Sequence, residues 1–141
     1  MKGCYCLIIH VKKYTEIKIG KLGPKKFKRG TYVYVGSAMN SLPSRVKRHL
    51  SDEKKLHWHI DYLLKNKNSH IMEVIYNISD KKIECQLSKN ISKKATGIKE
   101  FGCSDCDCEN HLYYFKNKKE AIECVKTAYD SIAMPCKVFK K

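Results

Sequence analysis

The first third of the chain has the hydrophobic pattern of β-strands. Residues 3–11 are apolar and β-branched almost throughout, and residues 15–19 alternate between apolar and polar side chains. Residues 31–36, with the sequence TYVYVG, give the strongest strand signal, and their alternation places two tyrosines on one face and two valines on the other. Because these segments are close together in the chain and glycines supply the turns, the pattern predicts antiparallel neighbours.

Residues 41–50 have the pattern of a capped amphipathic helix. Ser41 is a typical N-cap, Pro43 fits the first turn, and apolar side chains recur at residues 42, 46 and 50. Arg45 and His49 are four residues apart and therefore share one face of this helix.

The remaining segments alternate between helical and extended patterns. They first predict a helix from about residue 55, a central strand over 71–78 and a second helix. A loop over 96–110, a short strand over 111–115 and an amphipathic helix over 118–132 follow. The side chains expected to be buried are Leu56, Ile60, Leu63 and Leu64 in the first helix and Ile83, Leu87 and Ile91 in the second. This order favours an α+β fold in which helices flank a small, mainly antiparallel sheet and a helix lies near the C-terminus. We expect residues 1–141 to form one domain.

The composition adds a strong positive charge. Lysine and arginine number 29 against 14 acidic residues, which gives a formal net charge of +15. Such an excess favours polyanionic partners such as DNA, because binding phosphates releases counterions; the alternative is a solvated lysine surface. No apolar run approaches the ~20 residues of a membrane span or has the flanks of a signal peptide. We therefore expect a cytoplasmic protein with no membrane partner.

The chain has eight cysteines, three of which lie close together. Cys103, Cys106 and Cys108 precede His111 in the predicted loop, and thiolate and imidazole are the ligands that Zn²⁺ prefers. Zinc sites usually have two ligand pairs that are well separated in the sequence, and here all four residues lie within nine positions. A structural Zn²⁺ site, packed free thiols and a redox pair are therefore all possible interpretations.

Four types of polar side chain form a plausible set for phosphodiester hydrolysis. Tyr34 lies on the strand that ends at Gly36, where a ligand can approach the backbone closely. Arg45 and His49 follow on the next helix, and Glu84 lies on a later one. Arginine matches phosphate oxygens, tyrosine or histidine can help to deprotonate water, and one carboxylate can hold a divalent metal. Purely structural roles remain the alternative for each.

An ordered set of motifs resembles the GIY-YIG nuclease superfamily. The motifs are Gly3-Cys4-Tyr5, Tyr34-Val35-Gly36, Arg45-x-x-x-His49 and Ile83-Glu84-Cys85-Gln86-Leu87. The segments FKRGTYVYVGSA, KKLHWHIDYLL and FGCSDCDCENHLYYF are similar to an uncharacterised, mostly archaeal branch of that superfamily. Members of this branch also occur fused to a DNA-repair glycosylase of the endonuclease III type. The resemblance extends to about Phe115.

This resemblance implies a metal-dependent endonuclease. Tyr34 would activate or orient the water, and Tyr5 would line the same pocket. Arg45 would contact the scissile phosphate and His49 would support proton transfer. Glu84 would ligate a single Mg²⁺ or Mn²⁺. The implied substrate is DNA, with branched or damaged DNA in repair or recombination as candidates and a repair glycosylase as a candidate partner.

The chain departs from the superfamily pattern in the long interval between its first two motifs. An extra hairpin around residues 18–27 accounts for this interval, and Tyr32, which shares a strand face with Tyr34, is an alternative to Tyr5. The superfamily often has an asparagine after the metal helix, for which Asn110 is the nearby candidate.

Basic residues near these motifs are candidates for sequence-independent contacts to phosphates. They are Lys25, Lys26, Lys28 and Arg29 before the tyrosine strand, and Lys47 and Arg48 on the helix. The lone Trp58 is expected in the core rather than stacked on a base. Two further functions compete with the endonuclease: a catalytically inactive nucleic-acid-binding domain with a structural Cys/His metal site, and a protein that docks onto a repair enzyme through its basic face.

Overall fold

A computed structural model describes residues 1–53, 55–98, 101 and 110–140. The described strands are β1 (Gly3–Val11), β2 (Thr15–Lys18), β3 (Pro24–Phe27), β4 (Gly30–Ala38), β5 (Ser69–Ile78), β6 (Thr96–Gly97), β7 (Leu112–Phe115) and β8 (Lys137–Val138). The described helices are α1 (Leu42–Leu50), α2 (His59–Lys65), α3 (Glu84–Ser92) and α4 (Lys118–Ser131), with a short 3₁₀ turn at Gly20–Leu22.

A six-stranded sheet of order β6-β7-β4-β1-β5-β8 forms the centre of the fold, and its pairings are antiparallel. The predicted α+β class is therefore confirmed. β1 is the central strand, since it pairs with β4 on one side and β5 on the other over its whole length. This position explains why residues 3–11 are almost continuously apolar, because both faces of β1 are covered.

Alternate residues of the central strands serve two separate cores. On one face, Tyr5 and Leu7 of β1 pack with α1 and α2. On the other face, Cys4, Cys6 and Ile8 pack with α3 and α4. The alternation that predicted β4 is confirmed in the same way, with the tyrosines on the α1 side and the valines on the α3 side. Because successive residues of a strand point to opposite faces of the sheet, each side chain belongs to one of the two cores.

The hairpin expected between the first two motifs is formed by β2 and β3, which pair separately from the main sheet. Ile17, Ile19 and Phe27 are buried in the same core as α1 and α2. Its turn uses Gly23 in the left-handed region, with φ +75°. The hairpin is therefore anchored on the α1 side of the sheet.

α1 is confirmed with its predicted boundaries and cap, since the Ser41 side chain accepts a hydrogen bond from the Ser44 amide. α2 begins later than predicted. The Asp61 carboxylate accepts hydrogen bonds from the His57 and Trp58 amides, which fixes the helix start just after Trp58. Leu56 therefore lies outside the helix and is 43% exposed, so its predicted burial was wrong.

The other helices are close to their predicted positions, and two short strands were missed. The predicted loop over 96–110 opens with β6, and β8 follows α4 near the C-terminus. Each is only two residues long and exists through pairing with a neighbour, which hydrophobic periodicity does not report. Within the described part of the chain, none of the helices combines the length and apolar character needed to cross a membrane.

Gly36 has a packing role that its sequence position alone did not reveal. It lies directly opposite Tyr5 in the β1–β4 register, and the Tyr5 ring crosses over it. A Cβ atom at residue 36 would lie 2.5 Å from both the Cζ and the hydroxyl oxygen of Tyr5. Glycine is required here for close approach, with no need for an unusual φ.

We expect Gly36→Ala to lower the free energy of unfolding by about 1–3 kcal/mol, because the buried ring has no room to move. In a Tyr5→Leu background the same change should cost clearly less, since the clashing atoms are gone. Urea denaturation of the four proteins in this cycle measures the difference. An equal cost in both backgrounds would contradict the proposed contact.

Candidate active site

The candidate site lies where β4 extends beyond its outer neighbour. Cα pairing between β4 and β7 stops at Tyr34 and Leu112, and one further hydrogen bond joins the Val35 amide to the His111 carbonyl at 2.8 Å. Ser37 lies past this point. Here α1 approaches from one face of the sheet and the start of α3 approaches from the other.

Tyr5 and His49 form a buried hydrogen-bonded pair. The Tyr5 hydroxyl lies 2.8 Å from Nε2 of His49, and the two ring centroids are 5.4 Å apart. Burial raises the pKa of Tyr5 well above its usual value of 10, although the nearby Arg45 charge lowers it, and the Glu84 charge raises it further. Tyr5 therefore stays protonated at neutral pH and holds the imidazole in place.

Tyr34 extends this aromatic group towards solvent. Its ring centroid lies 6.2 Å from that of His49, and the side chain is half-buried. Tyr32 is fully buried at the other end of β4, where its hydroxyl donates a hydrogen bond to the Lys28 carbonyl. The structure thus places Tyr5, and not Tyr32, next to His49.

Ser37 joins a cationic and an anionic side chain. Arg45 donates a hydrogen bond from Nη1 to the Ser37 carbonyl at 3.1 Å. The Ser37 hydroxyl donates a hydrogen bond to Oε1 of Glu84 at 2.8 Å. The guanidinium and the carboxylate, which come from opposite faces of the sheet, therefore meet at one residue. No motif in the sequence singled out Ser37.

Glu84 has a second partner in His111. Nδ1 of His111 lies 3.2 Å from Oε2 of Glu84 and 3.0 Å from the Val35 carbonyl. A carbonyl oxygen only accepts hydrogen bonds, so Nδ1 carries a hydrogen. Zinc ligation by His111, as predicted from the cysteine spacing, would therefore have to use Nε2. The predicted partners Cys103, Cys106 and Cys108 lie outside the described residues, and zinc binding stays a prediction.

Glu84 fits a magnesium-type site of the simplest kind. It is 7% exposed, and its two carboxylate oxygens lie within contact distance of the Ser37 hydroxyl and of Nδ1 of His111. Mg²⁺ and Mn²⁺ accept a single protein carboxylate when water and substrate phosphate complete the shell. Among the described residues, no group of three or more His, Cys, Asp or Glu side chains is arranged to hold a metal ion.

Trp58 covers the outer side of the site. It is only partly buried, in contrast to the expected core position, and its ring centroid lies 5.8 Å from that of His49. The Cζ atoms of Arg45 and Arg48 lie 4.6 Å and 4.2 Å from the indole centroid. Both distances are typical of cation–π contacts.

Arg48 makes its polar contacts within the protein. Its guanidinium donates two hydrogen bonds to the Asp61 carboxylate, at 3.0 and 2.9 Å, and a third to the Lys55 carbonyl. The guanidinium has five N–H donors, and these contacts use three of them. Nucleic-acid binding by Arg48 stays a prediction.

The other predicted basic residues lie around the site and the hairpin. Lys25 and Lys26 lie on β3, and Lys47 is exposed on α1. Lys28 and Arg29 are exposed just before β4, and Nζ of Lys28 lies 4.1 Å from the Tyr114 ring centroid. Because α1 and the hairpin pack on the same face of the sheet, their lysines belong to one side of the molecule. Asn110 lies after α3 and accepts a hydrogen bond from the Ser88 hydroxyl on its carbonyl.

The sequence named five catalytic candidates, and the structure brings all five to the C-terminal half of β4. Ser37 was not named as part of the site, and Trp58 was expected in the core. Asp61 was expected either to partner a histidine as a carboxylate at a helix start or to form a polar wall of the cleft. The sequence contained a signal for Asp61, since a carboxylate three residues after Trp58 is typical of a helix start. It contained none for Ser37, which acts through a tertiary contact.

Comparison with known proteins gives one match. A family model described as Domain of unknown function DUF123 matches residues 4–134. No curated protein and no solved structure matches significantly.

Asp61 should make stability depend on pH. Burial raises the pKa of this carboxyl, but the hydrogen bonds from Arg48 and the two backbone amides outweigh it and hold the pKa below the ordinary 3.8. Its contribution is therefore full at neutral pH and lost as pH falls through the lowered value. Asp61→Asn should reduce the free energy of unfolding by about 1–3 kcal/mol at pH 7, and the difference from wild type should shrink below pH 3.8.

Urea denaturation at several pH values measures this difference. The exposed Asp130→Asn is the charge-matched control and should change stability by less than about 0.5 kcal/mol. A difference for Asp61→Asn that persists unchanged into acid would contradict the role of the ionised carboxylate.

Proposed function

We propose that this protein, which belongs to the DUF123 family, is a metal-dependent endonuclease that hydrolyses phosphodiester bonds in DNA. The observation that carries the proposal is the meeting of Arg45 and Glu84 at Ser37, beside the cluster of Tyr5, Tyr34 and His49. The resemblance of these motifs to the GIY-YIG nucleases supports the same activity.

Arg45 supplies the phosphate contact. Its planar guanidinium presents several N–H donors. One donates to the Ser37 carbonyl, and the group also interacts with the Tyr5 hydroxyl. Such donors stabilise negative charge that develops on phosphate oxygens in the transition state. Stacking on Trp58 orients the group before substrate arrives.

Tyr34 and His49 handle the proton of the attacking water. Tyr34 is the more exposed tyrosine of the cluster, and its ring packs against the imidazole. The protonated Tyr5 hydroxyl fixes His49 from the buried side. This arrangement leaves Tyr34 to orient the water and the imidazole to support proton transfer.

Glu84 would hold the metal ion, with Ser37 and His111 orienting its carboxylate. Bound there, Mg²⁺ or Mn²⁺ would supply charge that stabilises the leaving oxygen. The lysines of the hairpin and α1 would contact the DNA backbone without reading sequence. Branched or damaged DNA and a glycosylase partner are the substrate and partner that we propose to test first.

Glu84→Gln should abolish Mg²⁺- or Mn²⁺-dependent nicking of plasmid or branched DNA, because the amide is a weak ligand for a hard cation. Tyr34→Phe should lower the rate constant roughly 100-fold or more, since it removes only the hydroxyl. Gel-based single-turnover cleavage assays measure both rates, with circular dichroism to confirm that the variants are folded.

Glu123→Gln on α4 is the matched control, because it makes the same chemical change at an exposed residue. It should cleave like wild type. Cleavage that survives Glu84→Gln at the wild-type rate would show that the metal is held elsewhere.

A catalytically inactive DNA-binding domain is the second candidate. One observation favours it: Glu84 is almost fully buried, with both oxygens engaged by the protein. In this alternative the basic face binds DNA, and no phosphodiester bond is cleaved.

Both functions predict that the affinity for DNA depends on salt concentration. We expect log Kd for duplex DNA to change linearly with log salt concentration, and the double change Lys25→Gln with Lys26→Gln to reduce the slope by about 0.9 per lost phosphate contact. Lys126→Gln on α4, which packs on the other face of the sheet, should leave the slope unchanged. Fluorescence anisotropy between low and moderate salt measures it. Strong binding without cleavage at any tested metal would favour the second function.

A further inference from the structure

Asp61 is a buried carboxylate with an unusually complete set of partners. It has no exposed surface and accepts four hydrogen bonds, two from the Arg48 guanidinium and one each from the His57 and Trp58 amides. These contacts fix two things together: the side chain of Arg48 and the backbone of Trp58.

Trp58 links Asp61 and Arg48 to the candidate active site. Its backbone is held by Asp61, and its indole packs against Arg48, which Asp61 also holds. Arg45 stacks on the same indole and donates a hydrogen bond to the Ser37 carbonyl. The guanidinium of Arg45 is thus confined on one side by a ring and on the other by a backbone carbonyl.

We propose that Asp61 is a positioning residue that sets the guanidinium of Arg45 through Arg48 and Trp58. We call these three residues, Asp61, Arg48 and Trp58, the clamp. Its effect on catalysis rests on the proposed endonuclease function, but its effect on the position of Arg45 does not.

One observation separates positioning from simple stabilisation. Arg48 is 29% exposed on its side chain, yet three of its donated hydrogen bonds go to protein oxygens. Both groups are therefore held in a single geometry, and the indole that they hold lies directly against Arg45.

A double-mutant cycle tests the catalytic consequence. Arg48→Lys keeps the charge beside Asp61 and loses the bidentate, planar contact. We expect it to lower kcat for cleavage of the preferred DNA roughly 10- to 100-fold, with KM unchanged, because a displaced guanidinium loses transition-state contacts. In an Arg45→Lys background the same change should lower kcat by less than about two-fold, since the group that the clamp positions is absent.

Asp61→Asn is the second clamp variant and should show the same pattern. Asp130→Asn is the charge-matched control and should leave kcat unchanged in both backgrounds. Equal losses in the two backgrounds would overturn the proposal, because they would mean that the clamp acts on the fold in general and not through Arg45.

A nuclear magnetic resonance measurement tests the position of Arg45 without any activity. In wild type the indole should shift the Arg45 Hε resonance upfield, and Trp58→Leu gives the unstacked reference value. Arg48→Lys should move this resonance towards the reference, and Asp130→Asn should not. A resonance that stays at its wild-type position in Arg48→Lys and Asp61→Asn would overturn the clamp.

The two experiments keep the proposals distinguishable. If wild type never cleaves DNA, the endonuclease function fails while the resonance still decides the clamp. If wild type cleaves but the resonance does not respond, the clamp fails and the endonuclease function stands. If Asp61→Asn does not fold, Arg48→Lys alone gives both readouts.

Discussion

A strand that continues past its neighbour is the constraint on which the candidate site depends. Side chains on opposite faces of a sheet are normally separated by the backbone layer, so two helices that cover different faces cannot share a site. β4 avoids this separation because its Cα pairing with β7 stops at Tyr34. Ser37 then offers its carbonyl to Arg45 and its hydroxyl to Glu84.

The site also depends on polar contacts that are made by its buried polar side chains. Glu84, His49, His111 and Asp61 are all nearly inaccessible, and burying such groups without partners costs several kcal/mol each. Each has at least one close polar contact within the chain. A low-dielectric surrounding strengthens these contacts and fixes the side chains in one arrangement. Substrate would therefore meet groups that are already oriented.

The sequence predicted the parts of the fold that follow from local pattern. The alternation of β4, the capped helix α1 and the inserted hairpin are all present, because periodicity, a serine cap and turn glycines act within a few residues. The start of α2 was placed too early, since it is set by hydrogen bonds from an aspartate further along the chain. β6 and β8 exist only through pairing with strands that are distant in sequence.

By itself, the sequence determined the α+β class and the alternation of side chains between the two faces of β4, and it named the five side chains of the candidate site. Only the tertiary structure decided that Tyr5 and not Tyr32 contacts His49, that Ser37 links Arg45 to Glu84, and that Arg48 faces Asp61. The physical reason is the separation along the chain over which each interaction acts. Propensity and periodicity act between neighbours in the chain, whereas these contacts join residues up to 47 positions apart and depend on where the sheet leaves an edge open.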